Sequence, residues 1–173
     1  MILGFLSEGP QHGYELRRRM SELQGHARSV SDGTVYPAIK RLLAAGALTQ
    51  ETVAGTAASR RVLTLTRSGR ERLEERLRSA AGHDVTDGTR FSVVLSFLSR
   101  LPDEDERRSV LRHRLEFLDQ PVGFFYEGGR PVRLAEIEDP YRRGMMRTAR
   151  ATRTAEMAWL REELGQSDER GGK

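Results

Sequence analysis

The stretch from Ser31 to Leu48, SDGTVYPAIKRLLAAGAL, leaves a folding chain few options. At helical spacing Val35, Ile39, Leu42 and Leu43 fall on one stripe, while Lys40 and Arg41 point elsewhere. Ser31 and Thr34 are both placed to cap the start, because a hydroxyl satisfies amide hydrogens that a first turn leaves orphaned. Pro37 is tolerated only within or close to that turn, so it predicts a helix start nearby. Gly46, just past the last stripe residue, is the expected C-cap. The product is a short helix with one apolar face and an exposed face carrying Asp32, Thr34, Tyr36, Lys40 and Arg41. Such a face suits a DNA major groove but does not by itself show that the helix enters one.

The flanks give that helix a setting. Ile2, Leu3, Phe5 and Leu6 predict a short helix that stops at Glu8-Gly9-Pro10. A second helix is expected from about His12 to Leu23, with Tyr14, Leu16, Met20 and Leu23 apolar and Arg17, Arg18 and Arg19 spread around its circumference. Beyond Gly46 the pattern turns strand-like: Leu48–Val53 and Arg61–Thr66 alternate and are rich in β-branched residues. The small-residue loop between them ends in the basic pair Arg60 and Arg61. Three helices followed by a β-hairpin with a basic tip is the order of a winged helix-turn-helix. A fourth helix is expected from Thr66 or Ser68 to about Ala80.

The charge distribution agrees with that setting. The net charge is +4, but residues 1–80 hold 13 Lys+Arg against 8 Asp+Glu, and the remaining 93 hold 16 against 17. The basic excess therefore lies in the N-terminal half, where a nucleic-acid surface is to be sought. There is no cysteine, which excludes disulfides and thiolate chemistry. No apolar run reaches the length of a membrane span and no signal segment opens the chain, so a cytoplasmic protein is expected.

The glycine-bearing segment 82–89 is the expected domain boundary, separating residues 1–81 from a helical domain over 82–165 and a disordered tail from Gln166. Phe91, Val94, Leu95, Leu98 and Leu101 repeat at helical spacing. Pro102 followed by Asp103–Glu106 marks the next helix start, where carboxylates offset the positive end of the dipole. Glycines at 123, 128 and 129 interrupt the chain around Phe124, Phe125 and Tyr126, and a last helix is expected from Pro140 to Leu164.

Ile2-Leu3-Gly4-Phe5-Leu6, Gly9-Pro10-Gln11-His12-Gly13-Tyr14-Glu15-Leu16, Asp32-Gly33-Thr34-Val35-Tyr36-Pro37-Ala38-Ile39-Lys40-Arg41-Leu42 and Leu63-Thr64-Leu65-Thr66 resemble the PadR family of bacterial transcriptional regulators. The resemblance covers residues 1 to about 75; beyond it the chain is similar only to the general helical dimerisation and effector region of longer members. It implies a homodimer whose third helices enter adjacent major grooves of a pseudo-palindromic operator, with the wings on flanking phosphate or minor groove. Thr34, Tyr36, Lys40 and Arg41 would then lie at DNA, with Arg60 and Arg61 on the wing. The wing departs from the family pattern: Ala57-Ala58-Ser59 and Leu63 stand where a Gly-Arg-Pro run and a tyrosine are common, and Ser68 replaces a usual proline.

The expected architecture is mostly α with a small β-hairpin, a winged helix-turn-helix followed by a helical dimerisation domain. The expected function is a DNA-binding transcriptional regulator, a ligand-responsive repressor. The alternative is a winged-helix protein-interaction module without DNA binding. Phe124, Tyr126, Met145, Arg147 and Trp159 are candidates for an effector that is aromatic or anionic; packing in a dimer core is the competing reading of the aromatic and methionine positions. Arg142, Arg143, Arg147, Arg150 and Arg153 either serve an anionic effector or face solvent and pair with Glu136, Glu138 and Glu156. His12 and Tyr14 are expected to hold the first two helices together. The four histidines have no partner at metal-ligand or triad spacing, so no enzyme, metal or cofactor is expected.

Overall fold

The structure, a computed structural model, describes residues 1–25, 30–53, 60–121, 126–127 and 130–165. It divides into two compact units, Met1–Arg107 and Arg108–Lys173.

The first unit opens with α1 (Ile2–Leu6), β1 (Gln11–His12), α2 (Gly13–Gln24) and α3 (Asp32–Ala44), followed by β2 (Leu48–Val53), β3 (Arg60–Leu65) and α4 (Arg67–Arg78). This is a winged helix: a cluster of short helices against an antiparallel sheet of order β1-β3-β2. The expected hairpin pairs Leu48 with Leu65 and Thr52 with Arg61. A third strand joins it, Gln11 opposite Leu63 and His12 opposite Val62. Two residues carry no readable alternation, and their partner lies fifty positions on, so β1 has no local signal.

α3 forms where its capping chemistry predicts. Ser31 is the N-cap, though its hydroxyl meets the Thr34 hydroxyl at 3.0 Å rather than a backbone amide. At the other end Gly46 takes φ 67°, and the amides of Gly46 and Ala47 donate to the Leu43 and Leu42 carbonyls, both at 3.0 Å. That pair of bonds is a Schellman stop, with Ala45 as C-cap and Gly46 one place beyond. Pro37 lies deeper than expected, at the sixth helical residue. It has no amide for the Gly33 carbonyl, and exposure of this stretch leaves that carbonyl open to water.

The turn after α3 is locked from α4. Thr66 accepts the Gly69 amide at 3.0 Å as N-cap and donates its hydroxyl to the Gly46 carbonyl at 2.8 Å, while its own amide donates to Ala47. Val35, Ile39, Leu16, Met20 and Leu63 are buried. The stripe read from the sequence is thus the scaffold face, except that Leu42 and Leu43 are only half-buried.

Residues 82–89 form not an open linker but α5 (His83–Thr86) and the start of α6 (Gly88–Phe97), with Asp87 accepting the Arg90 amide at 2.9 Å. Phe97 packs edge-to-face on Phe5, ring centroids 5.0 Å apart at 82°. Gly4 makes room for that ring, since a Cβ there would fall 2.5 Å from Phe97 Cγ. This packing carries the first unit on to Arg107. The expected continuous helix to Leu101 gives way after Phe97 to a 3-10 turn, Leu98–Arg100.

In α7 (Glu104–Asp119) Asp103 accepts the Glu106 amide at 3.1 Å, as the acidic run predicts. The second unit contains the rest of α7, the two-residue strands β4 (Tyr126–Glu127) and β5 (Arg130–Pro131), a 3-10 turn at Leu134–Glu136, and α8 (Pro140–Glu163). Asp139 caps α8 and Pro140 occupies its first position. Arginines tie α7 and α8 antiparallel. Arg108 donates to the Glu163 and Leu164 carbonyls at 3.1 and 2.6 Å, Arg114 grips Glu156 through two bonds of 2.7 and 3.0 Å, and Arg153 donates to the Leu118 and Gln120 carbonyls. Arg114 is only 4% exposed, a burial that a planar, bidentate pair sustains. Arg150 donates to the Val132 carbonyl. These two arginines of the α8 cluster therefore staple the chain. Glu156 pairs with Arg114 and Glu136 with Arg133. The tail from Gln166 lies outside the described residues.

Candidate nucleic-acid interface

The exposed surface of α3 splits into two stripes. Thr34, Pro37 and Arg41 follow one and point outward; Tyr36 and Lys40 follow the other, one turn apart. The second stripe borders a groove of about 350 Å³ whose opposite walls are the start of α2 and the sheet. Tyr36, Lys40 and Arg61 share this groove, and Ile39 and Leu63, both buried, form its apolar floor. Arg61 reaches it because it lies two residues before Leu63 on β3, hence on the same face. Of the six residues that the sequence assigns to DNA, the structure thus brings three together. Thr34 and Arg41 lie on the neighbouring stripe, and the Arg60 side chain, like loop 54–59, is outside the described residues.

The cations of this surface differ from those of α2. Arg17 pairs with Asp32 at 3.1 Å, Arg18 with Glu22 at 3.7 Å, and Arg19 with Glu8. Arg19 also lies over the Phe5 ring, 4.5 Å from its centroid. Each of the three successive arginines thus has a carboxylate within 4 Å, and Arg19, the least exposed, is held most closely. Among the described residues, Lys40, Arg41 and Arg61 have no ion pair, and no carboxylate lines the groove.

Three groove residues had no place in the sequence-based site: His12, Tyr14 and Gln50. Tyr14 does not join the first two helices. It is 53% exposed and stacks on His12, centroids 5.7 Å apart at 11°. The signal was available, since Tyr14 is half a helical turn from Leu16 and so falls opposite the buried Leu16 and Met20. Gln50 faces the groove through strand alternation, opposite Leu63.

The start of α2 is fixed by a bond from its N-cap amide to the Glu15 side chain. The His12 amide donates to Glu15 Oε2 at 3.0 Å, while the imidazole donates from Nδ1 to the Arg61 carbonyl oxygen at 3.1 Å. The bond from the His12 amide, reinforced by the Tyr14 hydroxyl at 3.3 Å, holds the Glu15 carboxyl below its ordinary value. A depressed carboxyl stabilises the fold above its unfolded pKa, and that contribution is lost as pH falls through the folded value. Glu15→Ala is therefore expected to cost about 0.3–1.5 kcal/mol at neutral pH. Its stability difference from wild type should narrow below about pH 4.3, the unfolded range of glutamate. Urea unfolding at a series of pH values measures this, and a pH-independent difference would remove Glu15 from the cap.

The effector candidates do not converge on one cavity within the chain. Tyr126 lines a space of about 280 Å³ with Arg150, Arg153 and Met157, and the Arg153 guanidinium lies 5.8 Å from its ring centroid. Met145, Arg147 and Trp159 are exposed on α8, and Phe124 and Phe125 lie outside the described residues. Among the described residues no group of three or more acidic or histidine side chains is arranged to hold a metal. No described helix is long and apolar enough to cross a membrane.

Residues 2–75 match the family described as "Transcriptional regulator PadR-like family". Over 75 residues the chain is 34% identical to the negative transcriptional regulator PadR of Bacillus subtilis, a match spanning 43% of this chain and 41% of that protein. Two solved structures align over 95% of the chain, each with a TM-score of 0.44. One is Bacillus subtilis PadR in complex with operator DNA, at 24% identity over 94% of its length. The other is smu.1604c from Streptococcus mutans, at 21% over 96%.

Proposed function

We propose that this chain, whose residues 2–75 match the PadR-like family, is a DNA-binding transcriptional regulator that reads its operator through α3. The observation that carries this reading is the set of cations at and beside α3, Lys40, Arg41 and Arg61, which no carboxylate of the described protein neutralises. Exposed charge of this kind is what a phosphate backbone attracts, and release of condensed counterions supplies the affinity. The name of the Bacillus subtilis relative supports a repressor. Such a regulator works in the cytoplasm.

A homodimer on a pseudo-palindromic operator follows the same reading. Its support is an exposed row on α8 at alternating spacings of four and three: Tyr141, Met145, Thr148, Thr152, Ala155 and Trp159. Tyr141 is 86% exposed, Met145 48% and Trp159 38%. A second copy would cover that seam. An effector, aromatic or anionic, would suit the Tyr126 cavity, where ring and guanidinium lie together.

The test is selection of duplexes from a random DNA pool by the purified chain, followed by fluorescence anisotropy on a recovered duplex at several salt concentrations. The expected result is an enriched sequence with two related half-sites and an affinity that falls steeply with salt. No measurable binding even at low salt would overturn the reading in favour of a winged-helix protein-interaction module.

A further inference from the structure

The groove beside α3 has a wall that sequence-specific reading leaves unused. Tyr14 is a large aromatic residue placed opposite the buried face of α2, and more than half of it is exposed. It is not a frayed terminal side chain, because the bond from the His12 amide to the Glu15 carboxylate fixes this turn. His12 is held in turn by the sheet, its Nδ1 3.1 Å from the Arg61 carbonyl oxygen, and its ring lies parallel to that of Tyr14. Gly13 sets the distance across the groove: a Cβ there would fall 3.2 Å from Tyr36 Cε1, so the α2 start and α3 meet in close contact. A rigid aromatic pair therefore faces the same space as Lys40 and Arg61.

We propose that Tyr14 is a further DNA contact of this surface: its hydroxyl donates to a backbone phosphate drawn into the groove by Lys40 and Arg61, and His12 positions its ring. The contact rests on the DNA-binding reading above and extends it to α2. A phenol fits the role because it donates a hydrogen bond without a charge and keeps its ring on the stack. The nearest carboxylate, Glu15, is held by the His12 amide and does not line the groove. Its present bond with the Tyr14 hydroxyl is long, at 3.3 Å, and is the one exchanged for phosphate. The contact serves affinity and orientation, while base discrimination stays with α3.

The experiment compares wild type with Tyr14→Phe on two duplexes of equal length, the selected sequence and a scrambled one. The ring and its stack are retained in the variant, and a thermal melt checks the fold. Loss of one hydrogen bond from a neutral donor to a charged phosphate should weaken both duplexes by the same factor, roughly 10- to 100-fold. The salt slope should be unchanged, because no charge is removed. Wild-type affinity in Tyr14→Phe overturns the proposal, and so does a loss confined to the selected duplex, which would make Tyr14 a base reader. If the wild-type chain binds neither duplex, the DNA-binding reading falls and this contact falls with it.

Discussion

An alanine at Lys40 is expected to weaken binding of the selected duplex by roughly tenfold or more, the cost of removing one groove-facing cation. It should also lower the slope of log affinity against log salt by about 0.9, the value of one phosphate contact. Lys40 is exposed, lies one turn beyond Tyr36, and shares its groove with Arg61. No ion pair within the described protein competes for its charge. Alanine is a better helix former than lysine, so the same change should leave α3 intact. Arg41→Ala is expected to act in the same direction from the neighbouring stripe, with a small added loss of stability because Arg41 lies in the last turn, near the negative end of the helix dipole. Arg18→Ala is the control, since Arg18 is paired with Glu22 on α2. Anisotropy titrations at four salt concentrations decide the matter. Wild-type affinity and slope in both α3 variants would remove α3 from the interface.

The second large effect concerns Gly69, where two rules predict opposite signs. Gly69 is the third residue of α4, and helix propensity alone makes alanine better there by up to about 1 kcal/mol. The packing says otherwise. A Cβ at Gly69 would fall 2.1 Å from the Ala47 carbonyl oxygen, 3.0 Å from its carbon and 2.7 Å from Leu65 Cδ1. Two of those atoms are backbone, locked by the Schellman turn and by the Thr66 bonds to both sides. They cannot swing away as a side chain would. Overpacking of this kind costs about 3 kcal/mol, which outweighs the propensity gain. For a unit of this size the melting temperature should fall by roughly 10 °C or more. Circular dichroism melting of Gly69→Ala reads the sign directly, and a melting temperature at or above wild type would contradict the close approach of α4 to the turn. Because that turn joins α3 to the sheet, DNA binding should weaken alongside stability.

The sequence was legible where structure is local. The N-cap and stop of α3, the helix starts at Thr66 and Asp103, and the start of α8 near Pro140 all follow from side chains within a few residues of the backbone groups they satisfy. It was less legible at the site. Thr34, Tyr36, Lys40 and Arg41 are exposed on α3 as the apolar stripe requires, yet the stripe could not say that only Tyr36 and Lys40 border a groove. Helical spacing on α2 marks Tyr14 as exposed, but only the fold sets it beside that groove, because its neighbours there come from α3 and β3.

By itself, then, the sequence determined a capped amphipathic α3, its helical and hairpin neighbours, and a basic N-terminal half. Short-range hydrogen bonding and periodic burial dictate all of these. Only the tertiary structure decided which cations remain available. Arg17, Arg18 and Arg19 read as the densest basic cluster, but Asp32, Glu22 and Glu8 claim them. Arg61, read from the sequence as a wing residue, reaches the groove because β3 is held between β1 and β2. Electrostatic availability depends on what stands opposite each charge in space, and two of those three partnerships, Arg17 with Asp32 and Arg19 with Glu8, join residues more than ten positions apart.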